Sequence, residues 1–359
     1  MVDRQELEAA VGAVLDPDLH LSLDELGAVR RITTSDDVVD IEVSLAFEAS
    51  PLAAELEATV AAAVASVAGA PPSSVSVVPL TADERAALAV KLKPDSIIGS
   101  AGSTRVVAVS SGKGGVGKSS VTTNLAVALT ASGHSAAVID ADVWGFSIPK
   151  MLGIDAKPRV WGEMLVPPIG HGVRAISMDY FIEQDQAVIW RGPMLHKALE
   201  QFLTDVLWGS PEFLLIDMPP GTGDVAISIS QFVPRALALI VTTPQITAQR
   251  VAKRAALMAA KVDQEVIGVV ENMSWFTADD GKRYTLFGEG GGAALAQEVG
   301  ADLLGQIPLV PAMREGADAG VPIVVSDPEG EAAAAFRSIA AELVVRRPRV
   351  RTHPDLKVG

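Results

Sequence analysis

From Arg105 onward, short runs of consecutive apolar residues recur along the chain: Val106–Val109, Ala136–Ile139, Val173–Ile176, Phe213–Ile216, Leu237–Val241, Val266–Val270 and Leu303–Ile307. Strands that are apolar at successive positions, rather than alternate ones, suit a parallel sheet covered on both faces. Most of these runs are separated by enough residues for a helix. The pattern therefore predicts an α/β fold with a mostly parallel sheet flanked by helices, closed by an Ala-rich helix at about Glu329–Val345. Residues 1–80 read differently. Arg4–Val14 has helical spacing, Val38–Leu45 alternates like a half-buried strand, Leu52–Ala68 is an Ala-rich helix pattern and Val75–Val78 is a further strand. Together they predict a small separate α/β unit. Residues 81–103 read as a connector, with a polar helical stretch (Thr81–Lys91), Pro94 and a Gly/Ser-rich piece. The expected organisation is thus a small domain at 1–80, a linker at 81–103, a main domain at 104–345 and a basic, disordered tail at 346–359.

Composition adds limits. Apolar residues make up 49% and charged residues 20% of 359, so a sizeable core is feasible. The net charge is −15, and residues 1–95 hold 17 acids against 6 bases. This balance argues against nucleic-acid binding and marks the amino-terminal part as an acidic module. There is no cysteine, so neither disulfides nor thiolate metal sites are available. The first residues, MVDRQELEAAV, lack an apolar signal core, and no apolar run approaches the roughly 20 residues of a membrane span. A cytoplasmic protein with no membrane partner is expected. The five histidines show no ligand spacing.

One motif carries chemistry. Gly112-Lys113-Gly114-Gly115-Val116-Gly117-Lys118-Ser119 follows an apolar strand run and opens a helix pattern at Ser120–Ala131. Glycines in that setting turn backbone N–H groups inward around phosphate oxygens, and the helix N-terminus favours the negative charge. The expected ligand is ATP with Mg²⁺. Lys118 is placed at the β- and γ-phosphates, the Ser119 hydroxyl on the metal, and Ser120 among the nucleotide contacts. Two carboxylates end apolar runs further on: Asp142 in Asp140-Ala141-Asp142, and Asp217 after Phe213–Ile216. A strand ending in aspartate puts its carboxylate at the carboxyl edge of the sheet, where open α/β sheets bind ligands.

The loop resembles that of the deviant Walker A ATPases, the MinD, ParA, nitrogenase iron protein and Mrp relatives, whose mark is the extra lysine, here Lys113. That resemblance implies a homodimer in which Lys113 reaches the partner subunit's nucleotide. The stretches Asp140–Ser147, Trp190–Met194, Asp217–Asp224, Thr243–Gln245, Glu271–Ser274 and Asp318–Ile323 are similar to the Mrp family of iron–sulfur carrier ATPases. Carried over by position, Asp142 would orient the attacking water, Asp217 would hold the Mg²⁺ shell through water, and Asn272 would contact the adenine. Leu15-Asp16-Pro17-Asp18 and Glu25–Val29 resemble the small iron–sulfur assembly domain often fused to Mrp, with Ser50-Pro51 where that domain usually has Cys-Pro. Many Mrp relatives also carry a Cys-x-x-Cys implied to hold a bridging [4Fe–4S] cluster. Here the region reads Trp275 to Tyr284 with no thiolate, and Asp279-Asp280-Gly281 reads as a hairpin turn. The expectation is a slow ATPase acting in iron–sulfur cluster transfer or assembly with scaffold or client proteins that own the cysteines. A MinD- or ParA-like positioning ATPase and a nucleotide-gated dimeric scaffold stand as alternatives.

Overall fold

The alternating segment at Val38–Leu45 is the central strand of a small sheet in the computed structural model. Its pleat buries Val39, Ile41 and Val43 and leaves Asp40 exposed. The structure describes residues 3–35, 37–47, 50–92, 97, 104–143, 145–181, 192–221 and 223–346. The first unit runs α1 (Arg4–Gly12), α2 (Leu23–Leu26), β1 (Val29–Thr34), β2 (Val39–Leu45), α3 (Ala53–Ala65), β3 (Ser73–Pro79) and α4 (Ala82–Lys91). β1 pairs antiparallel with β2, and β2 pairs parallel with β3. α3 buries Leu56, Val60 and Val64, one residue per turn, and packs on β3. Asp3 caps α1, and Ser22 with Glu25 forms a capping box on α2. Asp16 is wholly buried in its turn and accepts from the Asp18 and Leu19 N–H groups at 2.9 and 2.7 Å; burial pushes its carboxyl up.

Compact units divide between Lys93 and Pro94, so the helical half of the expected connector groups with the first unit. α4 has its own capping box from Thr81 and Glu84; Glu84 also pairs with Arg30 at 2.7 Å, and the Lys91 ammonium donates to the Glu25 carbonyl at 2.7 Å.

The second unit holds the predicted sheet. After the first unit the chain runs through β4 (Arg105–Ser111), α5 (Lys118–Ala131), β5 (Ala136–Asp140) and α6 (Ile148–Met151), then a hairpin of β6 (Arg159–Trp161) and β7 (Met164–Val166). Val160–Val166 of that hairpin groups with the first unit. The chain goes on through β8 (Ile169–Gly170), β9 (Val173–Ser177), α7 (Gly192–Thr204), β10 (Phe213–Asp217), α8 (Asp224–Phe232), β11 (Leu237–Thr242), α9 (Ile246–Lys261) and β12 (Glu265–Asn272). A hairpin of β13 (Phe276–Thr277) and β14 (Arg283–Tyr284) follows, then α10 (Gly291–Val299), β15 (Leu303–Ile307), α11 (Pro311–Ala319), α12 (Ile323–Ser326) and α13 (Glu331–Val345). All seven predicted apolar runs are strands of one eight-stranded sheet, ordered β15-β12-β11-β4-β10-β5-β9-β8, parallel except for the β8–β9 pair at one edge.

The continuous apolar character has its reason in two cores, one per face. Leu239 and Val241 pack with α5 and α13, whereas their neighbours Ala238 and Ile240 pack with α9 and α10. Arg346, expected in the solvated tail, is instead held at 2.8 Å by Asp302, and its carbonyl accepts from the Arg105 guanidinium. The rest of that tail, 347–359, lies outside the described residues. Among the described residues no helix is long and apolar enough to cross a membrane.

Candidate functional site

β4 ends at Ser111 in the middle of the sheet, and the glycine loop turns the chain from there into α5. Two of its glycines are required by geometry. Gly117 has φ +78°, and a Cβ there would stand 2.3 Å from the Asn272 amide nitrogen. At Gly112 a Cβ would stand 2.1 Å from the Val251 carbonyl carbon, so the loop backbone lies directly on α9. The loop wraps a cavity of about 400 Å³, within the size range of small-ligand sites. Lys113, Gly114, Gly115, Val116, Gly117, Lys118, Ser119 and Ser120 all line it, together with Asp142, Gly145, Ser147, Met151 and Pro220.

Behind the loop, register does the positioning. β10 lies between β4 and β5, with Asp217 opposite Val109 on one side and Asp140 on the other. Asp217 is fully buried and accepts three side-chain hydrogen bonds. The Lys118 ammonium donates to its Oδ2 at 2.7 Å, the Ser119 hydroxyl to the same oxygen at 2.6 Å, and the Thr122 hydroxyl to Oδ1 at 2.7 Å. Asp142 Oδ2 stands 3.5 Å from the Lys118 ammonium, and its Oδ1 is buried without a hydrogen-bond partner. Asp140 works one step back. Its Oδ2 accepts from the Ser147 and Ile148 N–H groups at 3.0 and 3.2 Å and from the Ser177 hydroxyl at 3.1 Å, which anchors the loop that carries Asp142. Burial, with the neighbouring Asp217 carboxylate second, pushes the Asp140 carboxyl up to about 7.

The sequence had no means of finding Thr122. It lies one helical turn beyond Lys118, on the same face, and only the return of β10 reveals its partner. Asn272 sits differently from the residues around it. It is 2% exposed beneath the loop, does not line the cavity, and spends its amide N–H on the Val116 carbonyl at 2.9 Å; its Oδ1 is buried without a partner. Lys113 lines the cavity and donates to the Gln245 side-chain oxygen at 3.2 Å. Trp144, Trp190, Arg191 and Thr222 lie outside the described residues.

The stretch after Asn272 forms the hairpin expected of Asp279-Asp280-Gly281, with Gly281 at φ +77° and the Lys282 N–H on Asp280 Oδ1 at 3.0 Å. Glu331 holds it, accepting from the Thr277 hydroxyl at 2.8 Å and the Trp275 indole at 3.3 Å, with Arg283 at 3.5 Å. No group of three or more His, Cys, Asp or Glu among the described residues is arranged to hold a metal ion.

A central parallel sheet, a glycine loop between its middle strand and a helix, and an aspartate ending the adjacent strand define a P-loop NTPase. Comparison with known proteins agrees. Residues 102–344 match the family described as NUBPL iron-transfer P-loop NTPase, and residues 4–77 match that of the iron–sulfur cluster assembly protein. The iron–sulfur cluster carrier protein of Mycobacterium tuberculosis is 46% identical over 360 residues, spanning 95% of this chain and 93% of that one. A nucleotide-binding protein of Archaeoglobus fulgidus, solved in complex with ADP, superposes with a TM-score of 0.56 at 34% identity, over 65% of this chain and 93% of that one. The cell-division ATPase MinD of Pyrococcus furiosus shares the fold, with a TM-score of 0.50 at 24% identity over 67% of this chain and 98% of its own. The chain belongs to the iron-transfer P-loop NTPase family, the Mrp-type ATPases, and carries the iron–sulfur assembly domain at its amino end.

Proposed function

We propose that this protein binds and hydrolyses ATP as a homodimer and acts in iron–sulfur cluster transfer or assembly without holding the cluster itself. The observation that carries the ATPase reading is the Lys118–Asp217–Ser119 group at the base of the glycine loop. The Lys118 ammonium, 6% exposed, lines the cavity beside Ser119, which supports assigning it to the β- and γ-phosphates. Ser119 and Asp217 present hard oxygens 2.6 Å apart, a donor set that fits Mg²⁺: Ser119 would ligate the ion and Asp217 would hold its water shell. Bound there, Mg²⁺ would neutralise charge on the phosphates. The unpartnered Asp142 Oδ1 is the acceptor available to orient an attacking water. Lys113 supplies a cation from the second copy, where developing charge on the transferring phosphoryl is greatest. Asn272, 2% exposed beneath the loop and off the cavity lining, braces the Val116 carbonyl, so the adenine role the resemblance implies for it has no support in the geometry.

A [4Fe–4S] cluster does not fit these residues. The chain has no cysteine, and the family's cluster-holding stretch is a hairpin bound by Glu331. The cluster is therefore cargo whose thiolates belong to scaffold or client proteins, met in the cytoplasm.

Three measurements test this reading. Lys113→Ala should keep ADP affinity while ATP turnover falls by about 10³-fold or more, the scale of a cation supplied in trans; unchanged turnover would overturn the dimeric mechanism. Anaerobic pull-down with the full-length Asp142→Ala chain and ATP should bring a cysteine-rich scaffold. A stoichiometric cluster on the protein alone after iron and sulfide reconstitution would overturn the cargo assignment.

A further inference from the structure

Two lysines serve the glycine loop, and the structure treats them differently. Lys118 is buried between two carboxylates. Lys113 has no carboxylate beside it among the described residues; its ammonium rests on the neutral Oε1 of Gln245 at 3.2 Å. That acceptor is held in place. Gln245 is the N-cap of α9, its carbonyl accepts from the Ala248 and Gln249 N–H groups at 2.9 and 3.1 Å, and the Gln249 side chain donates to the Pro244 carbonyl at 2.9 Å. The root of the lysine is held by the same helix, because the Gly112 backbone lies against Val251 and Ala252. The backbones that carry lysine and acceptor are therefore mounted on one packed surface, which brings the two side chains within hydrogen-bonding reach.

The chemistry of the pair matters as much as its geometry. A side chain that must reach a phosphate on another copy needs a resting place it can leave. An ordered acceptor spares it the rotamer entropy of a free lysine, and a neutral amide attracts an ammonium far less than a carboxylate would. We propose that Gln245 is the positioning residue of Lys113: it parks the ammonium at the rim of the cavity in the isolated chain and yields it to the nucleotide of a second copy. This inference rests on the trans role of Lys113 proposed above.

The test uses the full chain with ATPγS, a slowly hydrolysed ATP analogue, and reads the dimer dissociation constant by sedimentation alongside steady-state ATP turnover and ADP affinity. Gln245→Glu gives Lys113 a carboxylate in cis. It should weaken the ATPγS dimer and slow turnover by about tenfold or more, leave ADP affinity unchanged, and recover partly in high salt, where charge pairs are screened. Gln245→Met keeps the size and removes the acceptor, and should dimerise at least as tightly as the wild type. In a Lys113→Ala background, Gln245→Glu should have no further effect on the dimer, because the two residues form one coupled pair. Wild-type dimerisation and turnover in Gln245→Glu would overturn the inference, as would a Gln245→Met variant that loses the dimer like Gln245→Glu. If Lys113→Ala itself dimerises and turns over like the wild type, the trans-lysine reading fails first, and the two failures are thereby told apart.

Discussion

The Lys118 ammonium and the Asp217 carboxylate meet at 2.7 Å in the floor of the glycine loop, with the lysine 6% exposed and the aspartate fully buried. The pair joins two elements that are 99 residues apart in sequence, the start of α5 and the end of β10. Removing one member of a buried ion pair leaves the other charge uncompensated, at a cost of about 3–5 kcal/mol. Lys118→Ala should therefore do two things. ADP binding should vanish in calorimetry, and the nucleotide-free protein should unfold at lower urea, the remaining Ser119 and Thr122 hydroxyls only softening the loss. Wild-type ADP affinity in this variant would remove Lys118 from the phosphate site.

Gly117 is constrained twice, by its backbone and by its neighbour. Its φ of +78° disfavours any side chain, and the Asn272 amide fills the space a Cβ would need. Gly117→Ala should weaken ADP binding by about tenfold or more, as the loop cannot close on its oxygens. Adding Asn272→Ala should restore part of the affinity by removing the clash while leaving the backbone strain. A double variant no better than Gly117→Ala would show that the left-handed backbone alone decides the position.

How much of this was legible in the sequence differs from residue to residue. The phosphate loop was, because few side chains tolerate its backbone and its setting between a strand and a helix is itself a sequence pattern. Asp217 was also readable, since the apolar run before it fixes where the strand stops. Thr122 was not: within α5 it is one polar residue among several, and its role depends on β10 returning beside β4. Asn272 was marked by resemblance for adenine, yet the structure gives its N–H to Val116, a contact that only the packing of β12 against the loop creates. β1 escaped notice because four of its six residues are exposed and it does not alternate. The helical half of the connector was seen as a helix, but its Arg30 and Glu25 partners lie more than fifty positions away. Local patterns were readable; pairings across the sheet and between distant segments were not.

Asp140 predicts a pH dependence. Its carboxyl stands at about 7 in the folded chain against an ordinary 3.8. Between those values the folded state keeps a proton that the unfolded chain has released. The stability this group contributes is therefore complete below the lower value and is lost as pH rises towards about 7, with no further change above. Melting of the nucleotide-free protein across this range should show a downward slope that Asp140→Asn lacks. Parallel profiles for the two proteins would mean that the carboxyl titrates normally.

Asp142 separates binding from turnover. Its Oδ2 stands 3.5 Å from Lys118, a weaker contact than the 2.7 Å made by Asp217, and its Oδ1 has no hydrogen-bond partner among the described residues. The loop holding it is fixed by Asp140 through the Ser147 and Ile148 N–H groups, so the carboxylate keeps its place when the nucleotide arrives. Asp142→Asn preserves the size of the side chain and removes its negative charge. ADP affinity should stay close to wild type, because the proposed function assigns the phosphates to Lys118 and the glycine loop. ATP turnover should fall by about 10²–10⁴-fold, the range of a positioned acid–base group, and the ATP-bound dimer should accumulate in sedimentation. Turnover at the wild-type rate would shift the work on the attacking water away from Asp142. A fall in turnover matched by an equal fall in ADP affinity would instead make Asp142 a binding residue whose main task is to orient Lys118.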